Sequence, residues 1–123
     1  MGILHRFVGR EESFEWEGVP VERYDAGGAV GGTKRVLIGS RDGARNFSLR
    51  YYEIAPGGRT SYDTHEHDHG VYVLRGKARV SMGSEVVDIL VGDAVYIPPD
   101  EEHQFENTGA EPFGFLCAVP PRD

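Results

Sequence analysis

Three histidines, His65, His67 and His69, and two aspartates, Asp63 and Asp68, fall within seven residues of this 123-residue chain. Neutral imidazole is the commonest protein ligand for divalent transition metals, and carboxylate oxygens complete such sites. On an extended strand, residues two apart point to the same side. Asp63, His65, His67 and His69 would therefore converge on one ion if the chain did not turn first. The glycine-rich entry at Gly57-Gly58 and the apolar exit Val71-Tyr72-Val73-Leu74 indicate that it does turn. The competing reading is a solvated acidic-basic loop, in which four of the five histidines would gather around one kind of signal by accident. The residues favour a metal site.

A second informative stretch is GDAVYIPPDEEHQFEN, from Gly92 to Asn107. It holds a turn glycine, an apolar segment, a proline stop and the isolated His103. Strands must position these groups. Lys34 to Ile38 reads as one, and Asn46 to Ile54 as another, with Phe47, Leu49 and Tyr51 on one face and Ser48, Arg50, Tyr52 and Ile54 on the other. Pro56-Gly57-Gly58 is expected to break it. Val71 to Leu74 is expected to be buried on both faces. Gly76 turns into Lys77 to Met82, and Gly83-Ser84 makes a hairpin into Glu85 to Leu90. Ala94 to Ile97 reads as a short buried strand, and His103 to Asn107 as the next. Phe113 to Val119 closes the chain with Phe113, Phe115, Cys117 and Val119 on one face. Asp25 to Gly32 reads as a flexible loop and Arg41-Asp42-Gly43 as a turn. Residues 1–25 read as an N-terminal arm with one or two short strands between Ser13 and Tyr24, and residues 26–123 as the body of the domain.

No segment carries a helical period over ten residues, and turn signals recur every eight to twelve. That spacing is the signature of an antiparallel sandwich or barrel. Length and an apolar fraction of 39% fit one domain with a single core. The net charge of −7 argues against nucleic acid, which needs a basic face, and against an anionic membrane surface. The single cysteine, Cys117, excludes an intrachain disulfide. The first residues resemble no signal peptide and no stretch reaches transmembrane length, so a cytoplasmic location is the expectation.

The two motifs together resemble the cupin family. Its first motif runs Gly, five residues, His-x-His, three or four residues, Glu, six residues, Gly. Here the same spacing is filled by Gly57, Asp63-x-His65, His69 and Gly76. Its second motif runs Gly, five residues, Pro-x-Gly, two residues, His, three residues, Asn. Here it is filled by Gly92, Pro98-x-Asp100, His103 and Asn107. Asp63, His69 and Asp100 depart in residue type and the spacing holds throughout. The likeness covers about residues 44–120.

The resemblance implies an all-β, single-domain jelly-roll barrel with one divalent metal per chain, manganese or iron first and nickel, zinc or copper after them. His69 in place of Glu looks like the four-histidine subgroup of small bacterial cupins, often manganese-binding. Two ligand registers remain open: Asp63, His65, His69 and His103, or a set in which His67 takes the place of Asp63. The first is preferred, because it preserves both glycine spacings and leaves room for the strand reversal. Asp63 either binds directly or acts through an intermediary on the outside of the ligand set. Arg50, Phe105, Phe115 and Cys117 are candidate pocket residues, each with a plainer alternative: a surface ion pair for Arg50, core filling for Phe105, an inert buried thiol for Cys117. The implied activity is an oxygen-dependent, dioxygenase-like reaction on a small apolar or aromatic molecule. The alternatives are a non-catalytic sensing module, or a metal-dependent isomerase or lyase. A homodimer is expected from the resemblance.

Overall fold

The computed structural model describes residues 2–10 and 13–121. Residues 1, 11 and 12 of the expected arm, and 122 and 123 of the expected body, lie outside them. Nine strands follow one another: β1 Glu22–Tyr24, β2 Val30–Ile38, β3 Ser48–Arg59, β4 His69–Arg75, β5 Lys77–Met82, β6 Glu85–Leu90, β7 Ala94–Ile97, β8 His103–Asn107 and β9 Phe113–Val119. They form one curled antiparallel sheet in the order β6-β5-β8-β3-β9-β4-β7, with β2 added to β3 and β1 to β2. This is the all-β barrel expected from the spacing of the turn signals. Among the described residues no helix is long and apolar enough to cross a membrane.

Alternation along the strands builds the interior. Ile54, Val71, Val73, Val80, Ile97, Phe105, Phe113, Phe115, Cys117 and Val119 all belong to one buried cluster. The four inward positions read on the last strand are all buried. A smaller cluster forms on the outside of β3, where Val19, Leu37 and Tyr51 are buried and Phe14 and Trp16 pack against them. Residues that precede β1 thus cover the outer face of their own barrel.

Four expectations need correction. Pro56-Gly57-Gly58 does not end β3, which continues to Arg59. The pairing with β2 jumps from Ile54↔Gly32 to Arg59↔Val30, so the strand absorbs these residues as an extended bulge. Glycine is required there: Gly57 has φ 80°, and a Cβ on Gly58 would meet the Val30 carbonyl oxygen at 2.4 Å. The expected loop Asp25–Gly32 is correspondingly too long, because Val30, Gly31 and Gly32 already belong to β2. Val71–Leu74 is not buried on both faces, since Tyr72 is 47% exposed. Ala94–Ile97 is likewise one-sided, with Ile97 buried and Tyr96 61% exposed. Both β4 and β7 pair antiparallel, and antiparallel sheets leave one face to solvent.

The second-motif residues that depart from or match the pattern have local reasons. Asp100 takes φ 65°, the left-handed conformation that aspartate tolerates better than most residues. Asn107 is buried and donates from Nδ2 to the carbonyls of Ile54 and Glu111, both at 2.8 Å. Its Oδ1 accepts from the Gly109 N–H at 2.8 Å. Asn107 therefore ties the end of β8 to the following turn.

Candidate metal centre

Each histidine is placed by a strand end or a pinned loop. His69 opens β4, opposite Ile97 of β7. His103 opens β8, opposite Met82 of β5. Asp63 pairs with His103 in an antiparallel bridge, each N–H donating to the other carbonyl at 3.0 Å. The His65 carbonyl accepts the Asp100 N–H at 2.6 Å, which fastens the histidine loop to the Pro98–Asp100 turn. The left-handed Asp100 thus helps to hold His65 in place.

His65, His69 and His103 bring one donor atom each to within 4.8 Å of one another. His69 and His103 are buried and His65 is half-buried. The ring centroids of His65 lie 5.0 Å from those of His69 and 5.4 Å from those of His103. Nδ1 of His103 lies 3.0 Å from the Glu101 carbonyl oxygen. A carbonyl only accepts, so Nδ1 carries the proton and the Nε2 lone pair is left to the site. Nδ1 of His69 lies 3.4 Å from Cys117 Sγ, while His69 Nε2 is buried with no hydrogen-bond partner among the described residues. Burial, and then the neighbouring His103, His67, His65 and Arg50, push the His69 pKa down to about 3. The imidazole is held neutral, the form that ligates metal.

The other expected site residues gather around the same space. Asp63 Oδ2 accepts from Ser61 Oγ and lies 3.8 Å from His65 Nε2. The mutually close set of donor atoms does not include it. His67 is half-buried, its ring stacked on His65 at 5.0 Å and 5° and 4.7 Å from His69. It too stands outside the close set. Arg50, Phe105, Phe115 and Cys117 all line one cavity of about 190 Å³ with the histidines and Asp63. Arg50 is not a surface cation. It is 8% exposed, its Nη2 lies 3.5 Å from Cys117 Sγ, its guanidinium sits over Tyr52, and its Nε has no partner among the described residues. Burial raises the Cys117 pKa, and Arg50 offsets this in part.

Tyr24, Tyr52, Thr60, Ser61 and Val71 also line the cavity, and sequence reasoning did not single them out for it. Tyr52 and Val71 carried a usable signal, since Tyr52 shares a strand face with Arg50 and Val71 shares one with His69. Tyr24 carried none, because it reaches the cavity only through the pairing of β1 on β2, opposite Gly32.

The sequence and the barrel match known proteins. The model of the Cupin_2 family, the cupin domain, matches residues 50–119. The chain belongs to the cupin family. It is 35% identical over 112 residues to the 1-methylthio-D-xylulose 5-phosphate methylsulfurylase of Rhodospirillum rubrum, covering 89% of this chain and 70% of that one. Among solved structures, the polyketide cyclase RemF of Streptomyces resistomycificus is 32% identical, with a TM-score of 0.79 over 85% of this chain and 75% of that one. A cupin-2 domain of Rhodospirillum rubrum is also 32% identical, with a TM-score of 0.80 over 95% and 80%.

The residues present fit a metal ion. Three imidazoles converge, one gives its proton to a carbonyl, and another has a buried nitrogen with no partner among the described residues. A buried polar atom without a partner is costly, and an ion removes that cost. The three histidines can hold one; the donor set alone does not choose which.

Proposed function

We propose that this cupin is a mononuclear metal-dependent enzyme acting on a small anionic, oxygen-rich molecule. The observation that carries the reading is the convergence of His65, His69 and His103 in a cavity that the buried Arg50 also lines. His65, His69 and His103 hold the ion, manganese or iron first, with Asp63 beside them. The ion supplies Lewis-acid polarisation of substrate oxygens.

The chain's own residues do the rest. Arg50 binds the negative group: among the described residues its buried guanidinium has an Nε without a partner, which asks for an anion, and Asp63 is the one carboxylate in the lining. Phe105, Phe115 and Val71 exclude water and fix the orientation of the substrate's carbon frame. The likeness to a methylsulfurylase of a sugar phosphate supports a phosphorylated carbonyl compound as the first class to try. We further propose that the protein is cytoplasmic and acts as a homodimer.

A second reading, oxygen-dependent chemistry on an aromatic molecule, is favoured by the aromatic wall. Tyr52 stacks on Phe115 at 5.4 Å, and Phe115 stacks on Phe105 at 5.0 Å. The likeness to a polyketide cyclase is compatible with such a substrate.

One set of assays separates the readings. Metal-loaded protein is offered ketose phosphates, and separately catechols and diketones in an oxygen electrode. The leading reading expects turnover or thermal stabilisation by a ketose phosphate, lost in Arg50→Met. Oxygen uptake dependent on an aromatic compound would replace it with the second reading. Stabilisation without turnover of any compound would point to a sensing module.

A further inference from the structure

The Tyr24 hydroxyl comes from β1, outside the two histidine-bearing motifs, and meets the site through Ser61. The Ser61 N–H donates to Tyr24 Oη at 3.0 Å, and Tyr24 Oη lies 2.8 Å from Ser61 Oγ. Ser61 Oγ donates to Asp63 Oδ2. Proton counting fixes the direction of this chain. A serine hydroxyl has one proton, and a carboxylate only accepts, so Ser61 gives its proton to Asp63 and accepts from Tyr24.

The backbone of Asp63 is fixed as well. Its N–H and C=O are both paired with His103 at 3.0 Å. The carboxylate can approach the centre of the histidine cluster only by rotating its own side chain, which breaks the bond from Ser61. Held as it is, Oδ2 stands 3.8 Å from His65 Nε2 and outside the set of mutually close donor atoms.

We propose that Tyr24 is a positioning residue that, through Ser61, latches the Asp63 carboxylate away from the ion, so that His65, His69 and His103 hold it and a position on it stays open to substrate. The proposal rests on the metal-dependent reading above. The plain alternative is that Tyr24 serves as wall, since its ring packs edge-on against Tyr52 at 5.1 Å. Phenylalanine keeps that packing, so Tyr24→Phe removes the bond that aims Ser61 at Asp63 and leaves the wall in place. Ser61→Ala breaks the same chain without touching β1.

The test is a Co²⁺ titration of wild type, Tyr24→Phe, Ser61→Ala, Asp63→Asn and the double variant Tyr24→Phe/Asp63→Asn, read by affinity and by the cobalt absorption spectrum. In the wild type and in Asp63→Asn the spectra superimpose. In Tyr24→Phe and Ser61→Ala the released carboxylate reaches the ion, so the spectrum shifts and affinity tightens by about tenfold, the lower end of the scale on which groups around a ligand set act. In the double variant both changes vanish. A spectral shift in Asp63→Asn alone would overturn the proposal, because Asp63 would already be a ligand. So would wild-type behaviour of both Tyr24→Phe and Ser61→Ala. Wild-type protein that takes up no Co²⁺ would overturn the metal-dependent reading and the latch with it.

Discussion

Nδ1 of His69 lies 3.4 Å from Sγ of Cys117, across the paired strands β4 and β9. The thiol is 3% exposed and also lies within reach of Arg50. Cys117 therefore backs a buried histidine of the cluster, and its chemistry and that of the site are linked.

Reactivity at Cys117 follows from that position. Burial raises its pKa, and the thiolate is the reactive form. Iodoacetamide should label the native protein far more slowly than the denatured chain, followed by mass spectrometry. Protein that does become labelled should bind metal more weakly, because the adduct crowds His69. Rapid labelling with unchanged metal affinity would show that Cys117 is accessible and does not support His69.

The metal-free protein should lose stability in acid through His69. Burial and the neighbouring histidines push its folded pKa down to about 3 from the ordinary 6.5. Above pH 6.5 the histidine is neutral in both states and its contribution is whole. As pH falls from 6.5 towards 3 the unfolded chain binds a proton that the folded one refuses, so stability declines across that window. Denaturant titrations at pH 7 and pH 4.5 should show a larger drop for wild type than for His69→Gln. Equal drops would mean that His69 is not held neutral.

The motif glycine Gly76 should be irreplaceable for steric reasons. It has φ 73°, and a Cβ there would stand 2.4 Å from the Pro112 carbonyl oxygen. The left-handed conformation and the forced backbone shift should make Gly76→Ala cost at least about 2 kcal/mol by chemical denaturation. A variant as stable as wild type would mean that the β4–β5 turn can move away from Pro112.

Much of this fold was legible because strand alternation is a local signal. Arg50, Tyr52 and Ile54, or Phe113, Phe115, Cys117 and Val119, fall on one face by counting alone, and the inward pattern of β9 follows it. The reading failed where a local signal was overruled by pairing. Pro56-Gly57-Gly58 has the composition of a stop, but β2 runs alongside and turns it into a bulge. Tyr72 and Tyr96 were expected inside because apolar runs do not say which face is covered, and among the described residues both are exposed. In the site, residue type and spacing pointed to Asp63, His65, His67 and His69, and only the resemblance to the cupin motifs joined the distant His103 to them. The Tyr24–Ser61–Asp63 chain was not legible, because a contact across 37 residues between β1 and the histidine loop leaves no mark on spacing.

The central claim is that His65, His69 and His103 hold one divalent ion. The direct measurement is the metal stoichiometry of untagged protein, stripped, reloaded with Mn²⁺ or Co²⁺ and dialysed, for wild type and His103→Ala. The account predicts one ion per chain in the wild type and loss of stoichiometric binding in His103→Ala, whose imidazole no neighbour on β8 can replace. Full occupancy in His103→Ala, or a wild type that retains no ion, would contradict it.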